Sequence, residues 1–364
     1  MTLIFLVIFA ALVFTYINGF HDTANSIATV VATKVLTPRR AVMLAAVTNL
    51  VGAFAGTAVA TTIASGLVDP QVATSEVLIC ALVAGIAWNL LTWWFGMPAS
   101  SSHALVGGLC GACLAAAHNN WKVLVWSVPS PKHWWLSKGL LWKVIVPMIT
   151  SPVCGLVFGF LLMGVLYFLL RNWRPANVNK TFGKLQLFSS AYMGFSHGTN
   201  DAQKTMGIIA LALLTGTTSG LFEHLPGWLS FLRTAPPEAN QPLEIAAWIK
   251  VLCALTMCAG TAVGGWRIIK TLGHKMVRLH PVHGFAAETT GATVLVTAAY
   301  FGMPVSTTHA VTTSIMGVGC AKGLNQLKLE VVERIVWAWI MTLPASGAVA
   351  YLLVKAAQAA GWIP

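Results

Sequence analysis

Apolar residues run along this chain in long blocks rather than in the interrupted period of a soluble helix. The stretch "LIFLVIFAALVF" at 3–14 has no polar position at all. An α-helix needs about 20 predominantly apolar residues to cross a hydrocarbon layer. Ten blocks of roughly that kind follow one another, at 2–33, 40–66, 77–96, 98–117, 144–170, 185–215, 245–265, 284–301, 303–320 and 335–358. Strands of a membrane barrel would alternate apolar and polar positions, and these blocks do not. The pattern predicts an all-α polytopic membrane protein. The first block continues straight into "GFHDTAN" at 19–25, so it does not read as a cleavable signal.

The blocks also repeat. "GFHDTAN" at 19–25 has a counterpart in "GTNDAQK" at 198–204, and "GTAV" occurs at 56–59 and at 260–263. "GMPASSSHA" at 96–104 returns as "GMPVSTTHA" at 302–310, and "TSPVCG" at 150–155 is echoed by "TLPASG" at 342–347. The four pairs keep one order, which divides the chain into halves at 1–184 and 185–364. Five crossings is an odd number, so the second half is expected to enter the membrane from the opposite side. Such inverted repeats are common in secondary transporters, whose substrate and ion sites lie near the bilayer midplane. The extra length of the second half lies mostly in a polar, proline-containing loop at 216–244.

Composition and charge support the membrane reading. Only 9% of the 364 residues are charged, against about 25% in soluble domains. A net charge of +12 raises nucleic acid as a partner. The basic residues, however, stand between the blocks, as topology-setting loops do: Lys34, Arg39 and Arg40; Arg171, Arg174, Lys180 and Lys184; Arg267, Lys270, Lys275 and Arg278; Lys322, Lys328 and Arg334. The expected setting is a lipid bilayer, the cell (inner) membrane, with both termini extracytoplasmic and no nucleic acid. The loop at 118–143 dissents, because Lys122, Lys132, Lys138 and Lys143 fall on the outer side. Its tryptophans Trp121, Trp126, Trp134, Trp135 and Trp142 suggest a segment lying in the interface. Cys110 and Cys113 are spaced like half a zinc site but have no second pair, so the cysteines read as buried small hydrophobes and no protein-held metal is expected.

The chemistry sits in the repeated motifs. Asp22 and Asp201 lie well inside apolar blocks, where a charge costs roughly 2.5–3.5 kcal/mol on the insertion scale. Each must be protonated, paired with a cation or exposed to a water-filled cavity; a purely structural role at helix ends is the plainer alternative. Asn25 and Asn200 can offer neutral oxygens to a small cation, and Gly19 and Gly198 can let the backbone bend toward a ligand. Gly-Met-Pro should break a helix. A new one then begins at Ser100, Ser101 and Ser102 or at Ser306, Thr307 and Thr308. Capping explains one hydroxyl of each three; a helix N-terminus with further hydroxyls makes an anion site. Carboxylates repel an oxyanion unless a proton or cation lies between them, so cation-coupled anion uptake follows. His103, His309, His21 and Glu288 are possible proton or accessory groups, and Lys204 can neutralise an aspartate or attract the anion. Glu76 falls at a boundary. A serine hydrolase and a passive anion channel are the competing classes. Neighbours in sequence do not readily form a triad, one active site needs no duplication, and midplane carboxylates do not suit a passive anion pore.

The stretches "NGFHDTANSIATVVATKVL", "WNLLTWWFGMPASSSHALVGG", "GFSHGTNDAQKTMGIIAL" and "GMPVSTTHAV" resemble the inorganic phosphate transporter (PiT) family, over nearly the whole chain and in the family's order. His21 and "SHGTNDAQK" resemble its bacterial, low-affinity branch. The resemblance implies symport of phosphate with a proton, often as a neutral complex with Mg2+ or another divalent ion, and no resident cofactor. Sodium-coupled relatives carry asparagine where this chain has His21, so H+ is expected before Na+. It further implies two re-entrant hydroxyl-rich hairpins, a homodimer, about twelve membrane elements, and arsenate as an analogue. By motif match, Asp22, Asn25, Asn200 and Asp201 would form the ion and substrate site, with Ser101, Ser102, Thr307 and Thr308 on phosphate. A sulfate permease of the same fold is the nearest rival. The chain departs from many bacterial relatives in lacking a long hydrophilic insert between the halves.

Overall fold

The computed structural model describes all residues except 131–132, 134–136, 237–242, 273–278, 324–326 and 364. Lys132, Trp134, Trp135, Lys275, Arg278 and part of the 216–244 loop therefore lie outside the described residues, as does the side chain of Lys270. Among the described residues the chain forms twelve α-helices. The first six are α1 (Thr2–Ala32), α2 (Pro38–Gly52), α3 (Ala58–Ser65), α4 (Ser75–Trp94), α5 (Ser101–Ala116) and α6 (Val146–Leu170). The second six are α7 (Pro175–Thr218), α8 (Ala247–Val263), α9 (Trp266–Lys270), α10 (Pro281–Tyr300), α11 (Thr307–Lys322) and α12 (Leu329–Ala359).

The ten predicted blocks map onto eleven of these helices, α9 lying outside every block, with two further differences. Block 40–66 is split, because the chain leaves helical geometry between α2 and α3, where Gly56 stands at φ 159°. Block 185–215 is the later part of α7, which starts at Pro175; Pro at the first helical position already lacks the amide that would go unbonded there. The division at 184/185 thus falls within α7, and the chain passes from α6 to α7 at 171–174.

Corresponding helices make corresponding contacts. α5 packs along α12 and α11 along α6; α12 also meets α4 as α6 meets α10; α1 lies on α8 and α2 on α7. The echoing prolines, Pro152 and Pro344, sit inside α6 and α12. Large apolar side chains face outward on these two helices, Phe158, Phe160 and Phe168 on one and Trp337, Ile340 and Leu352 on the other. Buried polar residues concentrate instead on α1, α5, α7 and α11. A soluble protein has the reverse arrangement. Thr2–Ala32, Ser75–Trp94, Leu141–Leu170 and Leu329–Ala359 are each long and apolar enough to cross a membrane. The protein is a helical membrane protein.

Two large apolar clusters flank the polar centre. One gathers Phe14, Leu78, Leu105 and Leu211; the other gathers Met163, Leu295, Ile315 and Ile335. In the loop before α6, Trp121 and Trp126 stack with ring centroids 6.2 Å apart and remain half exposed, at 58% and 44%, which suits aromatic residues at a membrane interface. Lys143, in the π-turn Leu141–Ile145 that leads into α6, is buried and donates to the Phe301 carbonyl at 2.7 Å.

Candidate functional site

The two Gly-Met-Pro stretches end α4 and α10 in the same way. Gly96 and Gly302 both stand at φ 64°, in the left-handed region that glycine enters without a Cβ clash. Met97 N and Met303 N each reach back to a helical carbonyl at 2.9 Å, Thr92 and Ala298 respectively. Ser100 and Ser306 then cap α5 and α11, each accepting from the amide three residues on, His103 N and His309 N, at 3.2 Å. Capping therefore uses the first hydroxyl of each triplet and leaves the other two.

Those remaining hydroxyls interlock the halves. Ser102 Oγ donates to the Val305 carbonyl at 2.9 Å, and Thr308 Oγ1 donates to the Ala99 carbonyl at 3.0 Å. Each hairpin tip thus bonds the backbone of the other. Ser101 Oγ donates to Asp22 Oδ2 at 2.9 Å, and Thr307 Oγ1 lies 3.4 Å from Asp201 Oδ2. Each aspartate draws a hydroxyl donor from the hairpin of its own half.

Asp22 on α1 and Asp201 on α7 are 2% and 0% exposed. Single ligating atoms of Asp22, His197 and Asp201 lie within 4.8 Å of one another, so the two carboxylates share one buried site. Both have basic partners. His21 Nδ1 is 2.7 Å from Asp22 Oδ1, and its Nε2 is 3.1 Å from Thr92 Oγ1. Lys204 forms an ion pair with Asp201 and also donates to Ser102 Oγ. His197 Nε2 stands 3.3 Å from Asp201 Oδ2. Asn25 Nδ2 reaches Thr307 Oγ1 and Thr308 Oγ1 at 3.2 and 3.0 Å, and Asn18 Nδ2 is 3.4 Å from Asp201 Oδ2. Asn18 Oδ1, Asn25 Oδ1 and both amide atoms of Asn200 are buried without a hydrogen-bond partner. Buried polar atoms are nearly always paired in folded proteins, so these oxygens are available to a ligand.

Gly19 and Gly198 serve a purpose other than the bending expected of them. α1 and α7 run unbroken through both positions. A Cβ at Gly19 would sit 2.7 Å from the Met257 carbonyl oxygen, and one at Gly198 would sit 2.2 Å from that of Asn49. The glycines let α1 approach α8 and α7 approach α2 closely enough to bring both aspartates inward.

The profile of the family described as "Phosphate transporter family" matches the chain twice, at residues 18–177 and 171–350. The chain belongs to the phosphate transporter family. A protein of Bacillus subtilis named "Probable low-affinity inorganic phosphate transporter" is 41% identical over 355 residues, 96% of each chain. One of the same name from Rhizobium meliloti is 40% identical over 349 residues, 96% of this chain and 94% of that one. A solved structure described as "The sodium-dependent phosphate transporter" shares the fold, with a TM-score of 0.79 over 99% of this chain and all of that one, at 22% identity. Family and relatives are transporters, not enzymes, which removes the hydrolase reading.

In this member of the phosphate transporter family two groups of sequence candidates stand apart from the shared site. Glu288 on α10 accepts from Thr29 Oγ1 at 2.5 Å, from Gln186 Nε2 at 3.0 Å and from Ser189 Oγ. Thr29 lies beyond Asn25 on α1, and Gln186 and Ser189 precede Asp201 on α7. Glu288 thus joins the same two helices at another level. His103 and His309 pack against each other with ring centroids 4.8 Å apart, and His309 also lies 4.0 Å from the Trp339 ring. Neither makes a hydrogen bond to an aspartate among the described residues, and His103 Nδ1 and both ring nitrogens of His309 are buried without a hydrogen-bond partner. Sequence reasoning missed His197, Asn18 and Gln186. All three are polar positions in apolar blocks, and His197 precedes Asp201 by one helical turn, spacing that brings side chains together.

Proposed function

We propose that this protein imports inorganic phosphate by symport with a monovalent cation, with the proton as the coupling ion. One observation carries the reading: the hydroxyls at the hairpin tips that would hold the anion are the same ones that satisfy the aspartates. An oxyanion that takes the Ser101 and Thr307 donors leaves two buried carboxylates short of partners. A hydrogen bond to a charged group is worth about 1.5–3 kcal/mol, so anion binding raises the carboxylates' demand for a cation by that order. Phosphate and cation therefore favour one another's binding, which is the thermodynamic content of coupling.

The helix ends add to this. α5 and α11 each start at the site with unbonded amides and a partial positive charge. At 16 residues apiece they are about 24 Å long, short of the ~30 Å hydrocarbon core. That length, with the breaks at Gly96 and Gly302, supports two re-entrant hairpins meeting near midplane. The exchanged packing of α5 on α12 and α6 on α11 supports an inverted repeat. Sodium as the coupling ion is a second reading, favoured by the partnerless Asn18 Oδ1 and Asn25 Oδ1 beside the carboxylates, since neutral and charged oxygens suit a hard cation. The cluster of Asp22, His197 and Asp201 also offers a place for a divalent ion travelling with phosphate as cargo.

The test is uptake of labelled phosphate by proteoliposomes, with pH, Na+ and Mg2+ varied independently and sulfate as competitor. An inward proton gradient should accelerate accumulation. Rates that stay the same when both the proton and the sodium gradients are collapsed would reject coupling. Competition by sulfate equal to that by phosphate would reject the substrate.

A further inference from the structure

Within the paired aspartate motifs the two halves differ at one position by a full charge. Three residues beyond each aspartate stand Asn25 on α1 and Lys204 on α7. Both side chains cross to the hairpin tip of the opposite half. Asn25 Nδ2 reaches Thr307 and Thr308, and Lys204 Nζ reaches Ser102. The correspondence extends to burial, at 2% and 1% exposed. It ends at the cation. Asn25 keeps Oδ1 without a partner near Asp22, whereas Lys204 sets an ammonium directly on Asp201.

We propose that Lys204 is a tethered coupling cation. It occupies, in the second half, the place that a mobile monovalent cation takes beside Asp22 and Asn25 in the first, so one mobile cation accompanies each phosphate rather than two. The inference rests on the reading of cation-coupled phosphate transport. Three features support it. An ammonium withdrawn from water needs a fixed counter-charge, and Asp201 supplies one from the preceding turn of the same helix, so the pair travels together whenever α7 moves. Lys204 also holds the α5 tip through Ser102, as a coupling ion shared by carboxylate and hairpin would. Finally, the remaining titratable groups at Asp201 and Asp22 are His197 and His21, and the orphaned carboxamide oxygen of Asn25 has no counterpart at Lys204. Asn200, next to Asp201, also has an amide without a partner, so it is the fixed ammonium of Lys204, not the supply of neutral oxygens, that sets the second half apart.

Lys204→Asn restores the symmetry of the pair and is the first test. Phosphate uptake is measured in proteoliposomes with Na+ and H+ each titrated at fixed phosphate. The unaltered protein is expected to depend on the first power of its mobile cation. Lys204→Asn should depend on a higher power and recover about tenfold in rate as the monovalent cation is raised, within the range of ordinary coupling between sites. Lys204→Arg, which keeps the charge, should retain the first-power dependence. A folded Lys204→Asn that still shows first-power dependence overturns the proposal. The converse variant, Asn25→Lys, supplies a second tethered cation. It should exchange phosphate across the bilayer while losing gradient-driven accumulation, and accumulation with unchanged cation dependence would likewise overturn the proposal. Failure of the unaltered protein to take up phosphate under any gradient would instead sink the transport reading, and this inference with it.

Discussion

Replacing Ser101 by alanine tests whether the anion and the carboxylates compete for the same donors. Ser101 Oγ donates to Asp22 Oδ2 at 2.9 Å, and both residues are buried. Ser100, the helix cap, is untouched, so α5 still starts where it does. The lost bond involves a charged acceptor and is worth about 1.5–3 kcal/mol. At about 1.4 kcal/mol per decade, that is a change of roughly 10- to 100-fold. The structure gives it opposite signs for the two ligands. Phosphate loses a donor, so its half-saturation concentration should rise by that factor. Among the described residues Asp22 then keeps His21 as its side-chain partner, and a carboxylate that has lost a donor binds a cation more tightly. The half-saturation concentration for the coupling cation should therefore fall. Both constants are read from initial uptake rates in proteoliposomes, cation dependence being taken at sub-saturating phosphate. Movement of both constants in the same direction, or no change in the cation constant, would refute the competition.

Other changes separate transport from folding. Asp22→Asn and Asp201→Asn should each abolish accumulation against a gradient, with the thermal unfolding midpoint as the check that the fold survives. Thr308→Val removes a donor to the Ala99 carbonyl and an acceptor for Asn25; it should raise the half-saturation concentration for phosphate roughly tenfold, the equivalent of about 1–2 kcal/mol. Gly198→Ala would place a methyl group 2.2 Å from the Asn49 carbonyl and should destabilise by about 1–3 kcal/mol. Gly164→Ala meets nothing within 4 Å and should be neutral or stabilise by up to about 1 kcal/mol, so the two midpoints should move apart. Arsenate, nearly isosteric with phosphate, should inhibit labelled phosphate uptake competitively.

Much of the site was legible because it is written twice. A lone Asp22 in an apolar block allows several roles, whereas Asp22 and Asp201 in matching frames, with Ser101–Ser102 and Thr307–Thr308 in matching frames behind them, call for a common site. The helix breaks were legible from Gly-Met-Pro, since proline and a left-handed glycine act locally. What stayed hidden depends on which helix faces which. The partners of Glu288 come from α1 and α7, and no spacing connects Thr29, Gln186 and Ser189 to it. Gly19 and Gly198 look like hinges in sequence, and only the carbonyls lying against them show that they are contact points. Lys204 was visible as an asymmetry. Its grip on Ser102 of the opposite half was not, because that contact spans the long distance between α5 and α7 in the chain.

The reciprocal bonds between the hairpin tips, Ser102 to Val305 and Thr308 to Ala99, bear on how the protein can be taken apart. Cutting the chain at 171–174, between α6 and α7, would yield one piece with Asp22 and one with Asp201, each missing the carbonyl that its own tip hydroxyl grips. Neither piece could organise a working cavity alone, and only co-production would restore one. A lesion on either side should therefore disable the whole molecule, with no half-active remnant.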